Sequence, residues 1–174
     1  MASQFHLADL FETVAATVPD RKAIISDSLS LTYGELDARA NALASAMAAG
    51  GVKRGDTVGL YMGNRAEYLE AFIAAWKIGA APFNINYRYR ADELRYLFTN
   101  AKAAAIVHAA GYSDIMRALR PDLPDLKLLI AVNDGSGADI AGSLSYDALL
   151  ETPFSGPWAR DESDVLLIYT GGTT

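Results

Sequence analysis

The residues with the most chemistry to offer stand together at the far end of the sequence, as Tyr169-Thr170-Gly171-Gly172-Thr173-Thr174. Thr170, Thr173 and Thr174 bring hydroxyl donors, and Gly171 and Gly172 tolerate a positive φ. Backbone N–H groups turned inward by such a bend converge on an anion, and a threonine hydroxyl adds a donor or reaches a phosphate-bound Mg²⁺. The segment is therefore a candidate phosphate cradle. The same residues also suit an ordinary turn, because Gly-Gly commonly reverses the chain after a strand. Just upstream, Val165, Leu166, Leu167, Ile168 and Tyr169 form a short apolar run of the kind covered on both faces in a parallel sheet.

The elements that must position this loop alternate between helical and strand patterns with short punctuated connections, which predicts βαβ units. The fold class expected is α/β, a doubly wound, mostly parallel sheet with flanking helices. Leu36, Ala40, Leu43 and Met47 fall on one helical stripe, opened by Thr32 and Glu35 at capping-box spacing and stopped at Gly50-Gly51. A buried strand is expected over 58–62. Asn64 and Glu67 repeat the cap spacing ahead of a second stripe, Leu69, Phe72, Ile73 and Trp76, ended by Gly79 and Pro82. Further strands are expected over 81–85, 104–108, 128–132 and 165–169, alternating with helices near 92–100, 113–119 and 145–150. Asn133-Asp134-Gly135-Ser136-Gly137 is a polar internal loop, and neither a repeat nor a domain linker interrupts the chain.

Composition narrows the function class. With 174 residues and 51% hydrophobic content there is material for a sizeable core, which excludes disorder as the main state. A net charge of -6 without a basic run excludes the electrostatic footprint of nucleic-acid binding and a polybasic membrane patch. The absence of cysteine removes disulfides, a catalytic thiol and thiolate metal ligation. Asp9 and Glu12 interrupt the stretch that a signal peptide would need to keep apolar, and no apolar run approaches membrane-spanning length, so a cytoplasmic setting is expected.

Other candidate residues point to structure rather than chemistry. His6 at a helix start and His108 at a strand end have no neighbouring histidine or carboxylate cluster, which favours capping or surface roles over metal or acid–base work. Asp161, Glu162 and Asp164 lack the interleaved ligands and sharp turn of a hard-cation loop and read as a solvated loop. Arg88, Arg90 and Arg95 with Tyr87, Tyr89 and Tyr96 could stack nucleic acid, but interspersed Asp92 and Glu93 favour an ion-paired amphipathic helix. The hydrolase G-x-S-x-G, Walker G-x-x-x-x-G-K and dinucleotide G-x-G-x-x-G patterns are all missing.

The string Tyr169-Thr170-Gly171-Gly172-Thr173-Thr174 resembles the first half of the phosphate-loop signature of the adenylate-forming superfamily, the AMP-forming acyl-CoA synthetases and their relatives. Gly171 stands where the usual form has serine or threonine, a variant similar to bacterial fatty-acyl and steroid side-chain CoA ligases. Leu31-Thr32-Tyr33-Gly34-Glu35-Leu36 and Trp76-Lys77-Ile78-Gly79-Ala80-Ala81-Pro82-Phe83-Asn84-Ile85-Asn86 resemble two further core segments in the same order. Because the family's signature continues Gly-x-Pro-Lys-Gly, the resemblance implies an N-terminal piece of a longer AMP-binding domain, covering 1–174 and incompetent alone.

The resemblance also implies a chemistry. A carboxylic acid attacks the α-phosphate of ATP to give an acyl-adenylate and pyrophosphate, and coenzyme A then displaces AMP. ATP, Mg²⁺, coenzyme A and a carboxylic acid are the cofactors and partners so implied. Thr170, Gly171, Gly172, Thr173 and Thr174 would hold the β- and γ-phosphates, with Thr170 also associated with Mg²⁺. No catalytic side chain falls within the sequence. Related alternatives are an aryl- or amino-acid-adenylating ligase and a noncatalytic binding module of inherited fold. An apolar 165–169 strand without its full cover is expected to self-associate.

Overall fold

The computed structural model describes residues 6–26 and 29–169. In chain order the helices and strands are α1 (Leu7–Thr17), β1 (Lys22–Ile25), β2 (Ser30–Thr32), α2 (Tyr33–Ala49), β3 (Thr57–Tyr61), α3 (Ala66–Lys77), β4 (Ala81–Asn84), α4 (Ala91–Ala101), β5 (Ala103–Ala109), α5 (Ser113–Leu119), β6 (Leu128–Val132), β7 (Leu144–Ser145) and α6 (Tyr146–Leu149). β1 and β2 form an antiparallel hairpin, and the other five strands form one parallel sheet in the order β4-β3-β5-β6-β7.

Strand alternation splits the core into two layers. Val58 and Leu60 of β3, with Ala105, Val107, Ile130 and Val132, meet Leu43 and Met47 of α2 and Ala71, Ala74 and Ala75 of α3. Tyr61, Phe83, Ile106 and Leu129 meet Leu94, Leu97 and Phe98 of α4 and Met116 and Leu119 of α5 on the other face. Helices thus cover both faces, the doubly wound arrangement expected from the sequence. β4 and β5 both flank β3, so the chain turns one way and then the other from this strand. In open α/β sheets such a reversal leaves a crevice at the carboxyl ends of the strands.

Local signals explain the borders of α2. Thr32 Oγ1 accepts from the Glu35 N–H at 3.2 Å, and the Glu35 carboxylate accepts from the Thr32 N–H at 2.7 Å. The two glycines that end the helix are needed for different reasons. A Cβ on Gly50 would lie 2.4 Å from Leu128 Cδ1, whereas Gly51 has a φ of +89°.

Elsewhere the structure corrects the sequence reading. α3 begins after Arg65, not Asn64, and the Arg65 guanidinium holds Glu67 at 3.0 and 3.2 Å in place of a capping box. The inward face of α3 is Glu70, Ala71, Ile73, Ala74, Ala75 and Lys77, while Leu69 is exposed. The 165–169 segment is not a covered strand. Leu167 makes a single parallel bridge to Phe83 at the outer edge of β4, and Val165, Leu166 and Ile168 face solvent.

Candidate functional site

The predicted phosphate-loop residues Thr170, Gly171, Gly172, Thr173 and Thr174 lie outside the described residues. What the structure places is their stem. The Leu167 N–H donates to the Pro82 carbonyl at 3.0 Å, so the stem runs parallel to β4 and arrives at the carboxyl edge of the sheet. Tyr169 ends it there, with its ring 6.0 Å from that of Phe83 and its hydroxyl donating to Asn100 Oδ1 at 2.7 Å.

Tyr169 forms one wall of a cavity of about 520 Å³ at the ends of β3 and β4. Asn64, Asn84 and Asn86 supply amide groups, Tyr68, Tyr87 and Tyr89 supply rings, and Met62, Ile85 and Leu97 make the apolar part of the wall. Sequence reasoning missed the three asparagines. Asn64 and Asn86 stand just past apolar strand runs and Asn84 ends β4, and the last two also fall in the family-like segment Trp76–Asn86. Such a lining offers flat faces and paired donors and acceptors, which suits a planar, hydrogen-bonding ligand.

The loop that borders the cavity is held from below. The buried Tyr61 hydroxyl donates to the Tyr89 carbonyl at 3.0 Å, and burial pushes its pKa up to about 12. Asn86 Oδ1 accepts from the Arg88 N–H at 3.0 Å, and the Glu93 carboxylate accepts from the Arg90 N–H at 2.7 Å. The Arg88 guanidinium lies 5.5 Å from the centre of the Tyr87 ring. Among the described residues, Arg95 alone of the three arginines pairs as expected, with Asp92 at 2.7 Å and Asp122 at 2.8 Å. Gly59 of β3 is required by space, because a Cβ there would come within 2.9 Å of both Ile85 and Phe83.

Upstream of the stem, Asp164 is no solvated loop residue. Its Oδ1 accepts from Arg54 Nε at 2.7 Å, its Oδ2 from the Asp161 N–H at 2.9 Å, and His6 Nε2 lies 3.6 Å away. His6 caps α1 as expected, with Nδ1 accepting from the Ala8 N–H at 3.0 Å. Burial holds the His6 pKa below its usual value, only partly offset by Asp164. His108 is neither a cap nor on the surface. It is buried in β5 between the Ala109 carbonyl at 2.9 Å and Ser143 Oγ at 3.1 Å, and burial lowers its pKa as well.

A second polar centre, also invisible in the sequence pattern, surrounds buried Lys77. Its ammonium meets Glu12 at 2.5 Å and Asp37 at 2.8 Å, and Arg160 grips Glu12 through both nitrogens at 3.0 and 2.8 Å. Burial alone would raise the Glu12 carboxyl, but Arg160 and Lys77 outweigh it and hold the pKa low. Among the described residues no group of His, Cys, Asp and Glu could hold a metal ion, and no helix is long and apolar enough to cross a membrane.

A parallel sheet with helices on both faces, whose last described segment runs to the carboxyl edge beside an amide- and tyrosine-lined cavity, defines a doubly wound α/β protein. The chain belongs to the AMP-binding enzyme family, whose pattern matches residues 11–174. It is 42% identical to the medium/long-chain-fatty-acid–CoA/3-oxocholest-4-en-26-oate–CoA ligase of Mycolicibacterium smegmatis, over 97% of this chain and 31% of that protein. To the 3-oxocholest-4-en-26-oate–CoA ligase of Rhodococcus rhodochrous it is 40% identical, with the same coverage of 97% and 31%. The crystal structure of the anthranilate CoA ligase AuaEII with anthranoyl-AMP superposes with a TM-score of 0.90 over 100% of this chain and 34% of that one. At 22% identity this last likeness speaks for the fold alone. The chain spans about a third of the length of the curated relatives it matches.

Proposed function

We propose that this chain forms the phosphate-binding side of an AMP-forming acid–thiol ligase, which activates a carboxylic acid with ATP and passes the acyl group to coenzyme A. The observation that carries this reading is the stem: the bridge of Leu167 to Phe83 of β4 brings the chain as far as Tyr169 to the carboxyl edge of the sheet, and Thr170-Gly171-Gly172-Thr173-Thr174 follow it in the sequence of a chain of the AMP-binding family. There the backbone of Gly171 and Gly172 and the hydroxyls of Thr173 and Thr174 would hold the β- and γ-phosphates, and Thr170 would reach Mg²⁺.

In the reaction so proposed, a carboxylate oxygen bonds to the α-phosphorus as the bond to pyrophosphate breaks, and the thiol then displaces AMP from the acyl carbon. Both steps build negative charge on phosphate oxygens, so donors fixed in advance do more for the rate than a nucleophilic side chain. Medium- and long-chain fatty acids and steroid side-chain acids are the proposed substrates, on the likeness to the relatives named above. A cytoplasmic setting accords with the cysteine-free composition. Self-association of the chain is supported by the exposed Val165, Leu166 and Ile168.

Acid-dependent ATP–pyrophosphate exchange tests the reading. The 174-residue chain alone is expected to show none, because it carries only half of the loop signature. In the full ligase, Thr170→Ala is expected to weaken exchange and its Mg²⁺ dependence. Wild-type turnover in that variant would remove Thr170 from the metal role, and exchange by the pure chain would overturn the reading of it as incompetent.

A further inference from the structure

The stem of the predicted loop has little backbone pairing to fix its position. Between Asp164 and Thr170 the described structure gives it one bridge, Leu167 on Phe83, and leaves Val165 and Ile168 57% and 75% exposed. A strand held so loosely is prone to slip, and a slip of one residue turns every side chain to the opposite face. Side chains at its two ends supply what the ladder does not. At the start, Asp164 is clamped by Arg54, the Asp161 N–H and His6. At the finish, the Tyr169 hydroxyl is held by Asn100 Oδ1 at 2.7 Å. Because an extended chain advances about 3.3 Å per residue, a one-residue slip would carry the Tyr169 hydroxyl well beyond hydrogen-bonding distance of Asn100.

We infer that Asn100, in the last turn of α4, is a positioning residue that acts through the Tyr169 hydroxyl to fix where the phosphate loop begins. This inference rests on the function proposed above, and it assigns Asn100 no contact with substrate. Asn100 stands on the surface of its helix, and its side chain is free of any part in the α4 core, which consists of Leu94, Leu97, Phe98 and Ala101. Its hydrogen bond to Tyr169 joins residues 69 apart in sequence, so the contact ties α4 to the stem.

The test has two arms. In the 174-residue chain, amide hydrogen exchange is followed at Leu167, whose N–H donates to Pro82. Exchange there is expected to quicken about five-fold in Asn100→Ala and in Tyr169→Phe, the order expected for loss of one hydrogen bond, and to return to the wild-type rate in Asn100→Asp, which keeps an acceptor. In the full ligase, both first variants are expected to raise KM for MgATP about five-fold with KM for the acid unchanged. The double variant is expected to be no worse than either single, since both remove the same bond. Unchanged Leu167 exchange in Asn100→Ala would overturn the inference, as would equal rises in both KM values. If the wild-type ligase shows no acid-dependent pyrophosphate exchange, the proposed function falls, and the Leu167 exchange rates alone decide whether Asn100 holds the stem.

Discussion

Replacing Lys77 with methionine keeps most of the side-chain volume and deletes one charge from the centre that joins α1, α2 and α3. Lys77 is 1% exposed, and its two carboxylate partners, Glu12 and Asp37, are 34% and 26% exposed. Removing one member of a fully buried pair costs about 3–5 kcal/mol, because the partner is left charged and dry. Two features here pull the cost down. Arg160 still pairs with Glu12, and the partial exposure of both carboxylates lets water reach them. Asp37, by contrast, keeps the Asn41 amide on Oδ2 at 2.9 Å, while its Oδ1 has no other partner among the described residues. The net loss should therefore lie just below that range, about 2–3 kcal/mol. With a urea m-value of about 1–3 kcal/mol/M, Lys77→Met should lower the unfolding midpoint by about 0.7–3 M at unchanged slope. Equilibrium unfolding followed by circular dichroism measures this directly. Adding Asp37→Asn removes the stranded charge and should recover about half of the loss. A midpoint within about 0.3 M of wild type, or a double variant that loses the sum of both changes, would refute the reasoning.

Two further outcomes are expected. The folded-state pKa values of His6 and His108 are lowered from 6.5, so the unfolded chain binds more protons in that range. Their contribution to stability is complete above pH 6.5 and is lost as the pH falls through 6.5 towards the folded values. Urea midpoints should drop between about pH 7.5 and about pH 5.5, and His108→Gln should flatten that drop; a pH-independent wild type would contradict both assignments. Self-association should run through the solvent side of the stem, where Ile168 is 75% exposed, so sedimentation of Ile168→Lys should shift towards monomer. A wild type that sediments as a monomer at high micromolar concentration would rule it out.

The alternation of strands and helices, the Thr32–Glu35 cap of α2 and the 128–132 strand were legible because each depends on a short-range pattern of burial or hydrogen bonding. The string Tyr169–Thr174 was legible as a family motif, and the AMP-binding enzyme pattern matches residues 11–174. Misreadings came where a distant partner decided the outcome. Arg65, held by the Asn133 carbonyl 68 positions away at 2.8 Å, pairs with Glu67 where an Asn64 cap was expected. Residues 165–169 have the composition of a covered strand, yet sheet order places them outside β4, where only Leu167 and Tyr169 find a surface to pack on. Asp164 reads as one of three loop acids until Arg54, 110 positions earlier, and His6 enclose it.

The sequence by itself determined the layers, the cap and the candidate loop, because hydrophobic period and turn chemistry act over a few residues. Only the tertiary structure decided that Lys77 sits in an ionic centre, that three asparagines share one cavity and that Tyr169 meets Asn100. Those arrangements join segments tens of residues apart, and no local pattern encodes which buried or edge group will meet which partner once the sheet has closed.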